Sequence, residues 1–393
     1  MSDAREDAHD AAGSPRASDG GLPHPRRGGD GSRRRWPSLA QAFDPRRNAL
    51  TALRLALAAT VALTHGTLLG FGWQPVWGSA YLGDLAVDAF FVVSGFLVAR
   101  SYLRLGSLRR YLWHRCLRIV PGFWACLLVV AGVVAPVAAV LSGRPAASVL
   151  TGEDTALSYV TSNALLRIRQ LGVDGVGNPA NGGDPSLDGS LWSLFYEALC
   201  YGLVAALGVV GVLRARRWAV LALCAGLWAA TVAGAAGADV GSPLVLRLTF
   251  VFLLGSCAFL FAERVPVSGA LAALCLPVIA AGLHLLEDHR ALAGPAFAYL
   301  LLWAVVRVPL RRDPRWDLSY GLYIYHWPVY LLLSLAGAGA LGTVGFTALG
   351  LLLATGAAAA SWVLVEAPAL RLKDAALVEL PLPGRAAPSR RGG

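Results

Sequence analysis

Charge is scarce in this chain, and lysine almost missing. Of 393 residues only 15% are Asp, Glu, Lys or Arg, and Lys373 is the single lysine. A soluble domain carries about 25% charged residues. With 56% hydrophobic residues and a mean hydropathy of +0.56, the composition excludes an ordinary water-soluble enzyme. Cysteine chemistry is equally thin. There is no Cys-x-x-Cys pair; Cys126, Cys200, Cys224, Cys257 and Cys275 fall inside apolar runs, and Cys116 falls between two of them. None lies where an oxidising compartment could pair it, so they read as small buried residues, and no metal is implied. No signal peptide, long repeat or second soluble domain is visible. Ser32-Arg33-Arg34 faintly suggests a twin-arginine export signal, but the apolar stretch that follows is of full span length and leads into more spans.

What the chain does have is apolar runs of about 20 residues, long enough for a hydrocarbon core of about 30 Å. We read about ten: 49–70, 82–101, 119–141, 191–213, 218–237, 244–262, 268–286, 292–309, 318–336 and 342–364. They do not alternate polar and apolar residues, so the expected fold is an all-α membrane protein. The least distinct boundary is the seventh to eighth, where only Glu287, Asp288, His289 and Arg290 interrupt the hydrophobicity.

The net charge of +10 invites a nucleic-acid reading, but its distribution argues against one. Arg100, Arg104, Arg109, Arg110, Arg115 and Arg118, then Arg214, Arg216 and Arg217, then Arg307, Arg311, Arg312 and Arg315 fall on one side; the short loops near 71–81, 238–243 and 337–341 hold no Lys or Arg. The long 142–190 loop sets Arg144, Arg167 and Arg169 against Glu153, Asp154, Asp174, Asp184 and Asp188. This is the positive-inside asymmetry, and it predicts both termini in the cytoplasm. Residues 1–47, rich in Gly, Pro, Ser, Asp and Arg, read as a disordered basic tail, 48–368 as the membrane domain and 369–393 as a second tail. The dominance of arginine, with abundant Ala and Gly, suggests a GC-rich bacterial genome and hence a bacterial plasma membrane.

Ionisable residues inside spans cost roughly 2.5–3.5 kcal/mol each on insertion scales, so those present are candidates for function. Arg54 and His65 share the first run. Eleven residues make nearly three turns, which puts both on one helical face about 16 Å apart. Arg54 would lie near one surface, to hold an anion, and His65 deeper, for proton chemistry. Asp84 and Asp88 share a face of the second span; Asp84 reads as interfacial, whereas Asp88 is placed to orient His65 or to meet a substrate hydroxyl. Arg115 and Arg118, at i and i+3, can clamp phosphate oxygens with paired donors. Glu197 in the fourth span needs a partner or a task, and Trp192 and Tyr201 flank it. His326 in the ninth span lies beside Pro328, which frees a backbone carbonyl, and Glu366 reads as a partner for the inner arginines.

Taken in order, these fragments resemble the integral-membrane acyltransferase 3 family, whose members O-acylate cell-surface sugars and some secreted natural products. The resemblance rests on Arg54 with His65, Val87-Asp88 with Phe90-Phe91 and Ser94-Gly95-Phe96-Leu97, and Arg115-x-x-Arg118 with Pro121. It continues with Leu191-Trp192-Ser193-Leu194, Glu197 and Tyr201, then Ser319-Tyr320, Tyr323 and His326-Trp327-Pro328, and ends at Glu366 and Pro368. Ala86 departs from the usual Gly, and Cys200 from a common aromatic. The resemblance implies an acyl-CoA donor, most often acetyl-CoA, entering from the cytoplasm onto Arg115, Arg118 and Arg54. It implies His65 as base or transient acyl carrier, with Asp88, Glu197 and His326 in the catalytic group. Oxyanion donors would come from His326, Tyr323 or Tyr320. The acceptor hydroxyl, of a surface carbohydrate, glycolipid or secreted natural product, would approach past the 142–190 loop and Trp192. The esterase-like domain of some members is missing, which implies single-step transfer. The alternative class is a transporter or flippase for a lipid-linked glycan. The arginine pair at the inner mouth counts against it. A membrane glycosyltransferase would need acidic residues in a sizeable first outer loop, and 71–81 has none.

Overall fold

The computed structural model describes residues 36–310 and 317–374. Ten helices overlap the ten apolar runs, although the third begins at Leu108, well before the run at 119–141. They are α1 (Leu50–Phe71), α2 (Leu82–Leu105), α3 (Leu108–Val129), α4 (Trp192–Val209), α5 (Arg217–Ala235), α6 (Pro243–Leu260), α7 (Gly269–Leu285), α8 (Arg290–Arg307), α9 (Ser319–Leu335) and α10 (Gly342–Ser361). Among the described residues eight helical segments are long and apolar enough to cross a bilayer; α7 is shorter, and α9 has 17 residues interrupted by His326 and Pro328. The α3 segment continues through a widened turn at Val130–Val134 into Ala135–Leu141, and the α10 segment continues through Trp362–Glu366 into Ala367–Arg371. The only sheet among these residues is a two-stranded hairpin, Val76–Trp77 with Ala80–Tyr81. The protein is an all-α membrane protein.

Burial sorts the helices. In α2, 61% of the apolar window is buried, against 17% in α5, so α2 is central and α5 peripheral. Outward residues such as Leu128, Val133, Leu352 and Leu364 are exposed and apolar, as a lipid-facing surface requires. The α2 and α6 backbones approach closely through two glycines. A Cβ on Gly95 would collide with the Phe252 carbonyl, and one on Gly255 with that of Val92. Ser256 also donates to the Gly95 carbonyl at 3.1 Å. This contact fixes α2, with Ser94 beside it, at the centre of the bundle. On the other side α1 packs against α2, α9 and α10.

The expected tail over 1–47 is partly folded. Residues 1–35, with the Ser32-Arg33-Arg34 run, lie outside the described residues, but Ser38 and Gln41 form a capping box around the short helix Leu39–Ala42. Leu39 is buried, and its N–H donates to the Val265 carbonyl. Reciprocal capping plus one buried leucine orders a segment whose average composition suggests none. At the other end Ala367–Asp374 is helical and packs on α3, so the second tail begins inside the fold; 375–393 lie outside the described residues, as do Arg311, Arg312 and Arg315.

The 142–190 loop folds onto the bundle and is organised by two fully buried asparagines. Asn163 bonds the Arg169 and Gln170 backbone, and the Asn178 amide donates to the Leu69 carbonyl at 3.0 Å. The Trp327 indole of α9 donates to the Ser186 carbonyl at 3.1 Å, which ties the loop above His65.

Candidate active site

A cavity of about 660 Å³ opens among α1, α2, α3, α4 and α9, at the end where α2 turns into α3. Its wall includes Arg54, Arg100, Arg104, Arg110, Arg115, Arg118 and Lys373, against Glu197, Asp317 and Asp374. Seven cations less three carboxylates leave a formal excess of four positive charges. Two of the arginines share one carboxylate. Arg54 and Arg118 both donate to Asp317 Oδ2, at 2.8 and 2.9 Å, while Ser319 donates to Oδ1 at 2.7 Å. Burial alone would raise the Asp317 carboxyl, but the two guanidiniums outweigh it and hold the group well below the usual carboxylate range. Arg115 is not so engaged. It lies over the Tyr201 ring at 5.5 Å, and its buried Nε has no hydrogen-bond partner; the same holds for Nε2 of neighbouring His114. A buried guanidinium N–H left without a partner in a cationic cavity is what an anionic ligand would satisfy.

Deeper in, Glu197 accepts from Tyr201 at 2.6 Å and from Ser94 at 3.0 Å, so its partners are two hydroxyls. Tyr323 and Ser193 follow, their hydroxyls 2.6 Å apart, and Phe90 meets the Tyr323 ring edge to face with centroids 5.8 Å apart. One turn along α9 stands His326, fully buried, its ring centroid 6.1 Å from that of Tyr323. His326 Nε2 lies 2.8 Å from His65 Nδ1, and His326 Nδ1 lies 3.0 Å from the Leu322 carbonyl. A carbonyl only accepts, so His326 Nδ1 carries the proton, its Nε2 accepts, and His65 Nδ1–H donates. With both rings neutral, this chain of bonds leaves a lone pair on His65 Nε2. Trp327 packs edge-on against His65, with centroids 4.9 Å apart, and fixes the ring's plane.

The structure thus brings together Arg54, Arg115, Arg118, Glu197 and Tyr323 in the cavity wall and His65 with His326 just beyond it. It does not bring Asp88 to His65. Asp88 accepts from Arg247 at 2.8 Å and from Arg290 at 2.6 Å, with His289 4.0 Å away and Asp84 also on Arg247. This buried cluster ties α2, α6 and α8 together, and two guanidiniums are stronger partners for a buried carboxylate than a neutral imidazole. Burial, then the charge of Arg290, push the His289 imidazole down to about 4. Glu366 likewise does not pair with an inner arginine: Ser361 donates to its Oε1 at 3.0 Å, and its Oε2 has no partner. Trp192 is half-buried against Tyr196 and is not part of the cavity wall. Tyr320, a candidate oxyanion donor, spends its hydroxyl on the Ile119 carbonyl at 2.7 Å. Residues missed in the sequence are Arg247, Arg290 and Asp317. Arg247 had a signal, being a lone arginine in the sixth apolar run; Asp317, beside a run of arginines, had none.

Residues 47–365 match the acyltransferase domain of the acyltransferase 3 family. The chain belongs to that family. It is therefore a membrane acyltransferase. The acyltransferase is 29% identical over 363 residues to Nodulation protein 10 of Rhizobium leguminosarum bv. viciae, a similarity covering 83% of this chain and 94% of that protein. No solved structure matches it.

Proposed function

We propose that this acyltransferase moves an acyl group, acetyl in the simplest case, from acyl-CoA supplied by the cytoplasm to a hydroxyl of a surface carbohydrate, glycolipid or secreted natural product. In this reading it lies in a bacterial plasma membrane with both termini inside. The observation that carries the reading is the bare Nε2 of His65, fixed by His326, just beyond a cavity with surplus positive charge. The CoA phosphates lie against Arg115 and against Arg54 and Arg118, whose shared Asp317 serves as counter-ion until the donor arrives. The pantetheine arm runs inward past Glu197.

His65 Nε2 takes the proton of the acceptor hydroxyl as its oxygen attacks the thioester carbonyl carbon. The carbonyl oxygen becomes an oxyanion, toward which Tyr323 donates while Ser193 donates to Tyr323. The carbon–sulfur bond then breaks, the carbonyl reforms, and the thiolate takes the proton back from His65. Tyr323 fits the oxyanion role better than its rivals, because Tyr320 is engaged with a backbone carbonyl and His326 with His65 and Leu322. Holding donor and acceptor on either side of one imidazole supplies proximity as well as base catalysis.

The test is His65→Ala, purified in nanodiscs and supplied with labelled acetyl-CoA and a pool of envelope glycans and secreted metabolites from the producing strain. Transfer should fall by about 10²–10⁴-fold while insertion and yield stay normal, since that range is typical of losing a general base. Near-normal transfer by the well-inserted variant, or glycan movement without acetyl-CoA consumption, would overturn the reading.

A further inference from the structure

The cationic residues of the cavity fall into two stations. Arg54, Arg115 and Arg118 form the inner one. Arg100 and Arg104, one turn apart at the end of α2, meet Arg110 at the start of α3 and Lys373 to form the outer one at the mouth. From Arg110 to Arg118 is eight helical residues, about 12 Å along the axis. Lys373 reaches the mouth because the Trp113 indole donates to the Leu372 carbonyl at 2.9 Å, pinning the segment that follows α10 across α3.

Little neutralises the outer station. Among the described residues no carboxylate lies within 4.0 Å of Arg100, Arg104 or Lys373. Arg110 has only Asp374, at 3.6 Å, with that side chain 84% exposed. A thioester group alone needs one apolar slot and an oxyanion donor, and the pyrophosphate of CoA is served by the inner station. The outer cations are surplus to both. CoA carries one more phosphate, the dianionic 3′-phosphate on the ribose. With the pantetheine arm pointing inward, that phosphate is the group left nearest the mouth.

We propose that Arg100, Arg104, Arg110 and Lys373 form a recognition site for the 3′-phosphate of the donor. The enzyme thereby selects acyl-CoA over donors that present the same phosphopantetheine arm without that group, acyl-carrier proteins among them. The inference rests on acyl-CoA being the donor. Asp374, weakly held on Arg110, occupies part of the site before the donor enters and yields to a dianion.

The experiment compares acetyl-CoA with acetyl-3′-dephospho-CoA on the whole protein in nanodiscs. The wild type should favour acetyl-CoA in kcat/KM by about tenfold or more, the effect of losing one or two charge-assisted hydrogen bonds. The difference should lie in KM and shrink as salt is raised. Adenosine 3′,5′-bisphosphate should inhibit more strongly than ADP, a comparison that needs no variant. In Arg104→Gln and Lys373→Gln the preference should move towards one. Equal kcat/KM for the two donors, with the two nucleotides equally weak inhibitors, would overturn the 3′-phosphate site and leave acyl-CoA as donor. Consumption of neither donor would overturn both readings together.

Discussion

Replacing His326 separates a residue that positions the base from one that merely fills the bundle. In the wild type the Leu322 carbonyl holds the His326 Nδ1 proton at 3.0 Å, and His326 Nε2 receives the His65 proton at 2.8 Å. His326→Phe keeps the aromatic volume and removes both bonds. His65 Nδ1–H then lacks its acceptor, and leaving a buried donor unpaired costs about 1–3 kcal/mol. The imidazole can escape that cost by turning or by carrying its proton on Nε2, and either change removes the lone pair from the acceptor hydroxyl. In a serine-protease triad, holding the histidine in the wrong tautomer lowers kcat by about 10⁴. The partner here is neutral, so we expect a fall in kcat of about 10²–10³. The donor KM should change less than about threefold, because no phosphate contact is touched. Steady-state acetyl transfer in nanodiscs, with yield and melting temperature measured alongside, reads all three quantities. A His326→Phe protein that melts normally and keeps a third of wild-type kcat would refute the tautomer relay.

Three further expectations follow from the same contacts. Arg115→Ala should raise the donor KM with little effect on kcat, and Arg118→Lys should rescue only part of the loss in Arg118→Ala, since a lysine keeps the charge but not the forked geometry that meets Asp317 and a phosphate; unchanged donor affinity in both alanine variants would make the clamp a topology signal only. Asp88→Ala should lower stability by about 3–5 kcal/mol by stranding Arg247 and Arg290, visible as a lower melting temperature; a catalytic defect at unchanged melting temperature would return Asp88 to the reaction. Burial raises the Asp188 carboxyl to about 7 despite hydrogen bonds from Ser190 and Cys126. The folded protein therefore holds a proton the unfolded chain has lost, stability should fall as the pH rises from about 4 to about 7, and Asp188→Asn should flatten the melting temperature across that window.

The positions of the helices were legible because a run of about 20 apolar residues leaves the bilayer few alternatives. Arg54, His65 and His326 stood out as candidates because an ionisable group in such a run is costly and therefore conspicuous. Who pairs with whom was not legible. Asp88 lies four residues from Asp84, and that local pattern says nothing of Arg247 or Arg290, which reach it from α6 and α8. Asp317 reaches Arg54 across 263 residues of sequence, and Arg118 across 199. Spacing along one helix fixes which residues share a face, but only packing decides which faces meet. The folding of residues 36–47 escaped for the opposite reason: a four-residue helix with a single buried leucine is too small a signal to stand out from a basic tail.

A cationic cavity that opens part-way into a bilayer risks becoming a leak. At the deep end of the cavity Phe90 and Tyr323 stand edge to face, backed by the His65–His326 pair and by Trp327 under its loop. This stack of rings is a plug. Water and ions that enter past the arginines meet aromatic faces at the deep end. On the proposed reading only the acyl group has to pass these rings, and the spent carrier leaves by the way it entered. An acyltransferase built in this way would hand its acyl group across an energised membrane without opening a path for protons.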